Sequence, residues 1–164
     1  MHHMSFDTPN LVSLDYSDYA LCHYPQVNLE SLVEARLDIC ISRNIERPDV
    51  SGLIKGIGTV ETLHLSPDSV DVISLCVRHG LLLPVFKNLV NLSFGSKKNK
   101  RGWKLLPKLL MQSPKLETLI IQRLDGYKRN VTMLPCIPSE GVACSWLSRN
   151  CSRVEKLEEF IGEN

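Results

Sequence analysis

The side chains in this sequence with the most reactive or ligating chemistry are six cysteines, five histidines and one short basic run. The cysteines stand at 22, 40, 76, 136, 144 and 151. None of them forms a C-x-x-C pair and no His-x-x-x-His partner exists, so the spacing that closes a zinc site is absent. No Ser or Cys lies in a G-x-S-x-G context, and His23, His64 and His79 fall in a loop, a strand and a helix end. A nucleophile needs a base within hydrogen-bond reach, and nothing in the sequence brings one together, so no catalytic, cofactor-binding or metal residue is assigned. Cys22 and His23 are sequence neighbours and read as two partly exposed loop residues. Gly56-Ile57-Gly58 lacks the further glycine of a dinucleotide loop and precedes a strand, so it reads as a turn. Cys40 and Cys76 sit among apolar residues and read as small core fillers.

The basic run lies in FGSKKNKRGW, where Lys97, Lys98, Lys100 and Arg101 crowd into five positions. Such a segment suits a nuclear-targeting signal or a phosphate backbone. The rest of the chain does not support nucleic acid as a partner: 19 Lys and Arg against 18 Asp and Glu leave a formal charge of +1, too small a field to attract a polyanion. The run reads first as a solvated loop and second as a targeting signal. The N-terminal MHHMSFDTPN has no apolar core of a signal peptide, and no run of about 18 apolar residues is present. An intracellular protein of the cytoplasm or nucleus, with free thiols and no membrane partner, is the expectation.

The dominant pattern is a repeat. LVSLDY, LVEARL, VETLHL, LVNLSF and LETLII begin at residues 11, 32, 60, 89 and 116, so successive starts are 21, 28, 29 and 27 residues apart. Within each hexad the fourth and sixth positions are apolar around a mostly polar residue, the period-2 signature of a strand with one buried face. Between hexads the chain carries turn signals and helical runs. Pro67-Asp68 leads into SVDVISLCVRHG, with Gly80 as a stop, and GWKLLPKLLMQSP predicts a second helix in which Pro107 is tolerated in the first turn.

Strand, loop, helix, strand at a period of 20–29 residues defines leucine-rich repeats, whose apolar faces are buried only when the units stack. The expected fold is therefore α/β: a short leucine-rich-repeat solenoid over residues 1–132, with a parallel-sheet arc on the concave side and helices or loops on the convex side. Leu14, Ala35, Leu63, Leu92 and Leu119 should form one buried column. Residues 133–164 form a tail outside the repeats.

Five phrases, SFDTPNLVSLDYSDY, VNLESLVEARLDI, LIKGIGTVETLHLSPDSV, PVFKNLVNLSF and GWKLLPKLLMQSPKLETLII, resemble the repeat region of plant F-box/LRR proteins, many of which continue into an FBD domain. The last phrase is the most specific, and the match runs from about Ser5 to Tyr127. The resemblance implies the substrate-recognition part of an SCF-type ubiquitin-ligase receptor. In that family an N-terminal F-box docks on the ligase adaptor while the repeats hold a target. The first strand here begins near Leu11, which leaves no room for an F-box before it, so adaptor binding is expected only if one is supplied. The tail resembles the start of an FBD region.

Residues that alternate with the buried strand positions point to the concave face. These are Ser13, Asp15 and Ser17; Glu34, Arg36 and Asp38; Thr62, His64 and Ser66; Asn91, Ser93 and Gly95; Thr118, Ile120 and Gln122. They form three ladders across the strands, the middle one opening on the opposite charges of Asp15 and Arg36. A protein target on this face is the first expectation for function. A partial remnant with no binding role, and a module targeted to the nucleus or to nucleic acid by the basic run, are the alternatives.

Overall fold

The computed structural model describes residues 4–96, 102–123 and 132–135. Its centre is a six-stranded sheet: β2 (Ser13–Tyr19), β4 (Glu34–Cys40), β5 (Thr62–Leu65), β6 (Asn91–Ser96), β7 (Thr118–Arg123) and β8 (Thr132–Pro135), adjacent in that order. The first five pair in parallel, each hexad supplying one strand, in a register that aligns Leu14, Ala35, Leu63, Leu92 and Leu119. This is an α/β architecture compatible with a leucine-rich-repeat arc. The ladder begins one residue ahead of each strand, where Val33, Glu61, Val90 and Glu117 donate N–H to the carbonyls of Val12, Val33, Glu61 and Val90 at 2.8–2.9 Å.

The aligned column is buried, with Ala35 and Leu92 wholly shielded and Leu14 the most exposed member at 8%. A second column, Tyr16, Leu37, Leu65, Phe94 and Ile121, follows two residues on and belongs to the same core. A strand slipped by one residue would turn its members of both columns to solvent, so the burial of these side chains constrains the register. The hexads' leading residues Leu32, Val60, Leu89 and Leu116 are buried as well.

Helices close the core side. α2 (Pro67–Arg78) packs on β4 and β6 and buries Val70, Val72, Ile73 and Cys76. It starts sharply, because the Ser66 hydroxyl accepts the Ser69 N–H at 3.1 Å and Pro67 occupies the first turn. It stops at Gly80, whose φ of 104° suits a residue without Cβ. A 3-10 turn (Gly102–Lys104) runs into α3 (Leu105–Met111), which buries Leu105, Leu106, Leu109 and Leu110. The third residue of α3 is Pro107, placed where an N–H has no helical partner.

Four elements exceed the sequence expectation. A one-and-a-half-turn helix, α1 (Ser51–Gly56), precedes the turn that contains Gly58. β1 (Phe6–Asp7) and β3 (Val27–Asn28) make a separate two-stranded parallel sheet, beside which Phe6 meets the Tyr16 ring edge-on at 5.2 Å. β8 pairs antiparallel with β7, Thr118 opposite Pro135 and Ile121 opposite Thr132. It covers what would otherwise be an open edge. The boundary expected between 132 and 133 falls inside this strand.

Candidate protein-binding face

One face of the sheet is occupied by the core, and the alternate residues form the other. Two of the three anticipated ladders are continuous in the register: Ser13, Glu34, Thr62, Asn91, Thr118, and then Asp15, Arg36, His64, Ser93, Ile120. Ser13, Asp15, Ser17, Arg36 and Asp38 are exposed, while Glu34, Thr62, His64, Asn91, Thr118 and Ile120 are half-buried. Ser93 departs from the expectation. It is only 5% exposed, a small side chain between the larger His64 and Ile120 of its own row.

The charged centre of the face is arranged around Glu34. Its Oε1 accepts from Arg36 Nε at 3.1 Å and lies 3.4 Å from His64 Nε2. The cross-strand attraction expected between Asp15 and Arg36 is thus replaced by a contact two residues away on the same strand. Both carboxylates are within reach of strand-spaced neighbours, but only Glu34 also faces His64, so one anion serves two basic groups. Desolvation lowers the His64 pKa from its ordinary 6.5, the Arg36 charge lowers it further, and Glu34 opposes both. The ring is therefore neutral at pH 7. Two weaker cross-strand bonds tie the flanks, from Ser17 Oγ to Asp38 Oδ2 at 3.3 Å and from Asn91 Nδ2 to Thr62 Oγ1 at 3.4 Å.

The third ladder is interrupted. Strand β5 ends at Leu65, so Ser66 caps α2 instead of standing on the face. A Cβ on Gly95 would lie 2.5 Å from the Pro67 ring, so Pro67 covers this position too. The first turn of α2 thus makes a rim along the strands' C-terminal ends. The Gln122 side chain and the basic run of Lys97, Lys98, Lys100 and Arg101 lie outside the described residues. The flanks of that run are placed: Gly95 lies against Pro67 and Gly102 against Val70, both on α2.

Cys40 is not a core filler. It follows Glu34, Arg36 and Asp38 at period 2, so it is half-buried on the open face. The apolar neighbours Ile39 and Ile41 suggested burial, but in a strand adjacent residues face opposite ways. Asp38, Cys40 and Asp68 bring one potential ligand atom each to within 4.8 Å of one another, the one such trio among the described residues. Cys40 and Asp68 already make other polar interactions, and two exposed or half-exposed carboxylates beside a thiol are a common surface arrangement, so no ion is assigned. Cys76 is buried as expected. Its thiol donates to the Pro48 carbonyl at 3.2 Å, and burial raises its pKa, which disfavours the thiolate a nucleophile requires. Arg47, Asp49, Ser51 and His79 surround it in a hollow of about 470 Å³.

Five in-order parallel strands, each formed by a leucine-rich hexad, present mostly polar residues on the side away from the core, an arrangement compatible with a leucine-rich-repeat protein. The sequence relatives are plant proteins of this kind. The chain is 56% identical over 160 residues to the F-box/LRR-repeat protein At1g06630 of Arabidopsis thaliana, covering 98% of this chain and 39% of that protein. It is 56% identical over 161 residues to the F-box/LRR-repeat protein At3g60040, covering 98% and 35%, and 43% identical to the putative F-box/LRR-repeat protein At5g38386, covering 99% and 38%, both from the same plant. The chain is of the plant F-box/LRR-repeat type and spans between a third and two fifths of the length of these relatives. No family model and no solved structure matches it.

Proposed function

We propose that the sheet face opposite the core is a protein-binding surface and that the chain is a leucine-rich-repeat arc serving as the target-holding part of an F-box receptor. The observation that carries this reading is the register: it gathers Ser13, Asp15, Glu34, Arg36, Thr62, His64, Asn91 and Thr118 into one contiguous polar surface with the leucines of the five parallel strands turned away. A surface of this kind gains affinity from shape and matched polar groups. The F-box/LRR names of the relatives support a role in protein interaction. In such a receptor the ligase core would be reached through an F-box, and this face would select what is modified.

The test is capture of plant proteins by the purified chain, compared between a face variant, Thr62→Arg with Thr118→Arg, and a variant on the opposite side, Lys55→Glu with Lys108→Glu. Loss of the bound set in the face variant alone is the expected result. Equal retention by both variants, with unchanged melting, would overturn the reading.

A further inference from the structure

Charge is unevenly spread over this face. On β2 and β4 the open side carries the carboxylates of Asp15, Glu34 and Asp38 against the single cation Arg36. On β5, β6 and β7 the matching positions are Thr62, His64, Asn91, Ser93, Thr118 and Ile120, which bear no charge while His64 is neutral. The one cation is held by Glu34, so it does not offset Asp15 or Asp38. The Asp15 side chain makes no hydrogen bond or ion pair among the described residues. At the rim, a carboxylate oxygen of Asp68 lies within 4.8 Å of one of Asp38, so two negative charges face each other across a short gap. Beyond them, in the row shared with Cys40, Tyr19 stands 60% exposed.

Resting on the proposal that this face binds protein, we infer that the β2–β4 half receives a basic, extended peptide segment of the target, with Lys or Arg at alternate positions. Two independent features fit that occupant. The charge is complementary, with surplus carboxylates at Asp15 and Asp38. The exposed Tyr19 ring, one row beyond Asp38, offers a surface for the stem and head of Lys or Arg. The spacing also agrees. Asp15 and Asp38 are on neighbouring strands and one row apart, a diagonal of about 8 Å from strand geometry, and side chains at i and i+2 of an extended peptide stand about 7 Å apart before their long stems adjust. The neutral half, floored by Thr62, Asn91, Thr118 and Ile120, takes the uncharged remainder of the segment. Steering by the acidic half makes association fast and sensitive to salt.

The probe is a fluorescein-labelled decapeptide of alternating Arg and Ser, followed by fluorescence anisotropy beside a Glu and Ser counterpart. The Arg peptide is expected to bind and to weaken about tenfold or more between low and high salt, whereas the Glu peptide does not bind. Asp15→Asn with Asp38→Asn should weaken the Arg peptide at least fivefold and Tyr19→Ala about threefold; Glu30→Gln with Glu46→Gln, which changes exposed acids elsewhere, should leave it unchanged. The Asn pair is exposed and isosteric, and a matching thermal melt checks that it folds. Equal binding of the two peptides, no binding of the Arg peptide, or equal weakening by the Glu30 and Glu46 pair would overturn the inference. A captured plant protein lost with Thr62→Arg and Thr118→Arg but kept by the Asp15 and Asp38 pair would overturn the charge assignment and leave the face intact. Retention by both variants would remove the face reading and this inference together.

Discussion

Ser69 offers the sharpest test of how the face is built. β4 continues to Cys40, but β5 stops at Leu65, so the last residues of β4 have no strand partner on that side. The Ser69 hydroxyl, fully buried in the first turn of α2, takes over. It donates to the Leu37 carbonyl at 2.7 Å and accepts the Ile39 N–H at 2.7 Å. Ser69→Ala removes both bonds without changing the shape of the turn. Leu37 keeps a second donor, Ser66 N–H at 3.0 Å, so its carbonyl is not orphaned. The Ile39 N–H is, in a place where that residue is wholly buried. A buried donor left without an acceptor costs about 1–3 kcal/mol, and about 2 kcal/mol is the central expectation. For a chain of this size that lowers Tm by roughly 4–8 °C. Urea denaturation read by circular dichroism, with an unchanged m-value, measures it. Ser66→Ala should cost about 1 kcal/mol, mainly through the helix cap, and also removes the bond its hydroxyl donates to Ser69 Oγ at 3.2 Å. A Ser69→Ala protein within about 0.5 kcal/mol of the parent would refute the view that this hydroxyl substitutes for a missing strand.

Four further outcomes are expected. Leu92→Ala, in the middle of the buried column, should destabilise by roughly 2–5 kcal/mol in the same assay, since the neighbouring strands cannot collapse into the space. Gly95→Ala should cost about 1–3 kcal/mol, because the new methyl meets Pro67 and the Leu65 carbonyl. For His64 the folded pKa is depressed, so its contribution to stability is present above the unfolded value of 6.5 and is lost as pH falls through the lower folded value. Imidazole proton shifts should show Arg36→Ala raising that pKa and Glu34→Gln lowering it further; a shift of the opposite sign in either would contradict the charge arrangement. Peptide mapping after alkylation at neutral pH should find Cys22 labelled and Cys76 protected until denaturant is added, as their exposure and the raised Cys76 pKa require.

The leucine hexads determined a great deal without coordinates. Period-2 alternation is a local property, so LVNLSF by itself assigns Leu92 and Phe94 to the core and Asn91 and Ser93 to the other side. A repeat near 28 residues, with a helix signal between hexads, leaves in-order parallel pairing as the way to bury every unit. The start of α2 at Pro67 and its stop at Gly80 were equally local, being written in residues that open or end helices. The family phrases rested on the same residues.

Tertiary structure decided whatever depends on where a neighbour ends. Arg36 faces Asp15 in the register, but its guanidinium settles on Glu34, a carboxylate that also lies 3.4 Å from His64 on the next strand. Ser66 fits the ladder by count, yet β5 ends one residue too soon to keep it there. Ser93 and Gly95 have polar-side positions in the alternation, yet they are buried in the structure, Ser93 in the row of His64 and Ile120 and Gly95 against Pro67. Cys40 was misread from its apolar neighbours, although the period that placed Arg36 outside already placed it outside as well. The antiparallel β8 carries no hexad, so nothing local announced it; the open edge of β7, a feature of the assembled sheet, is what gives that short segment a partner.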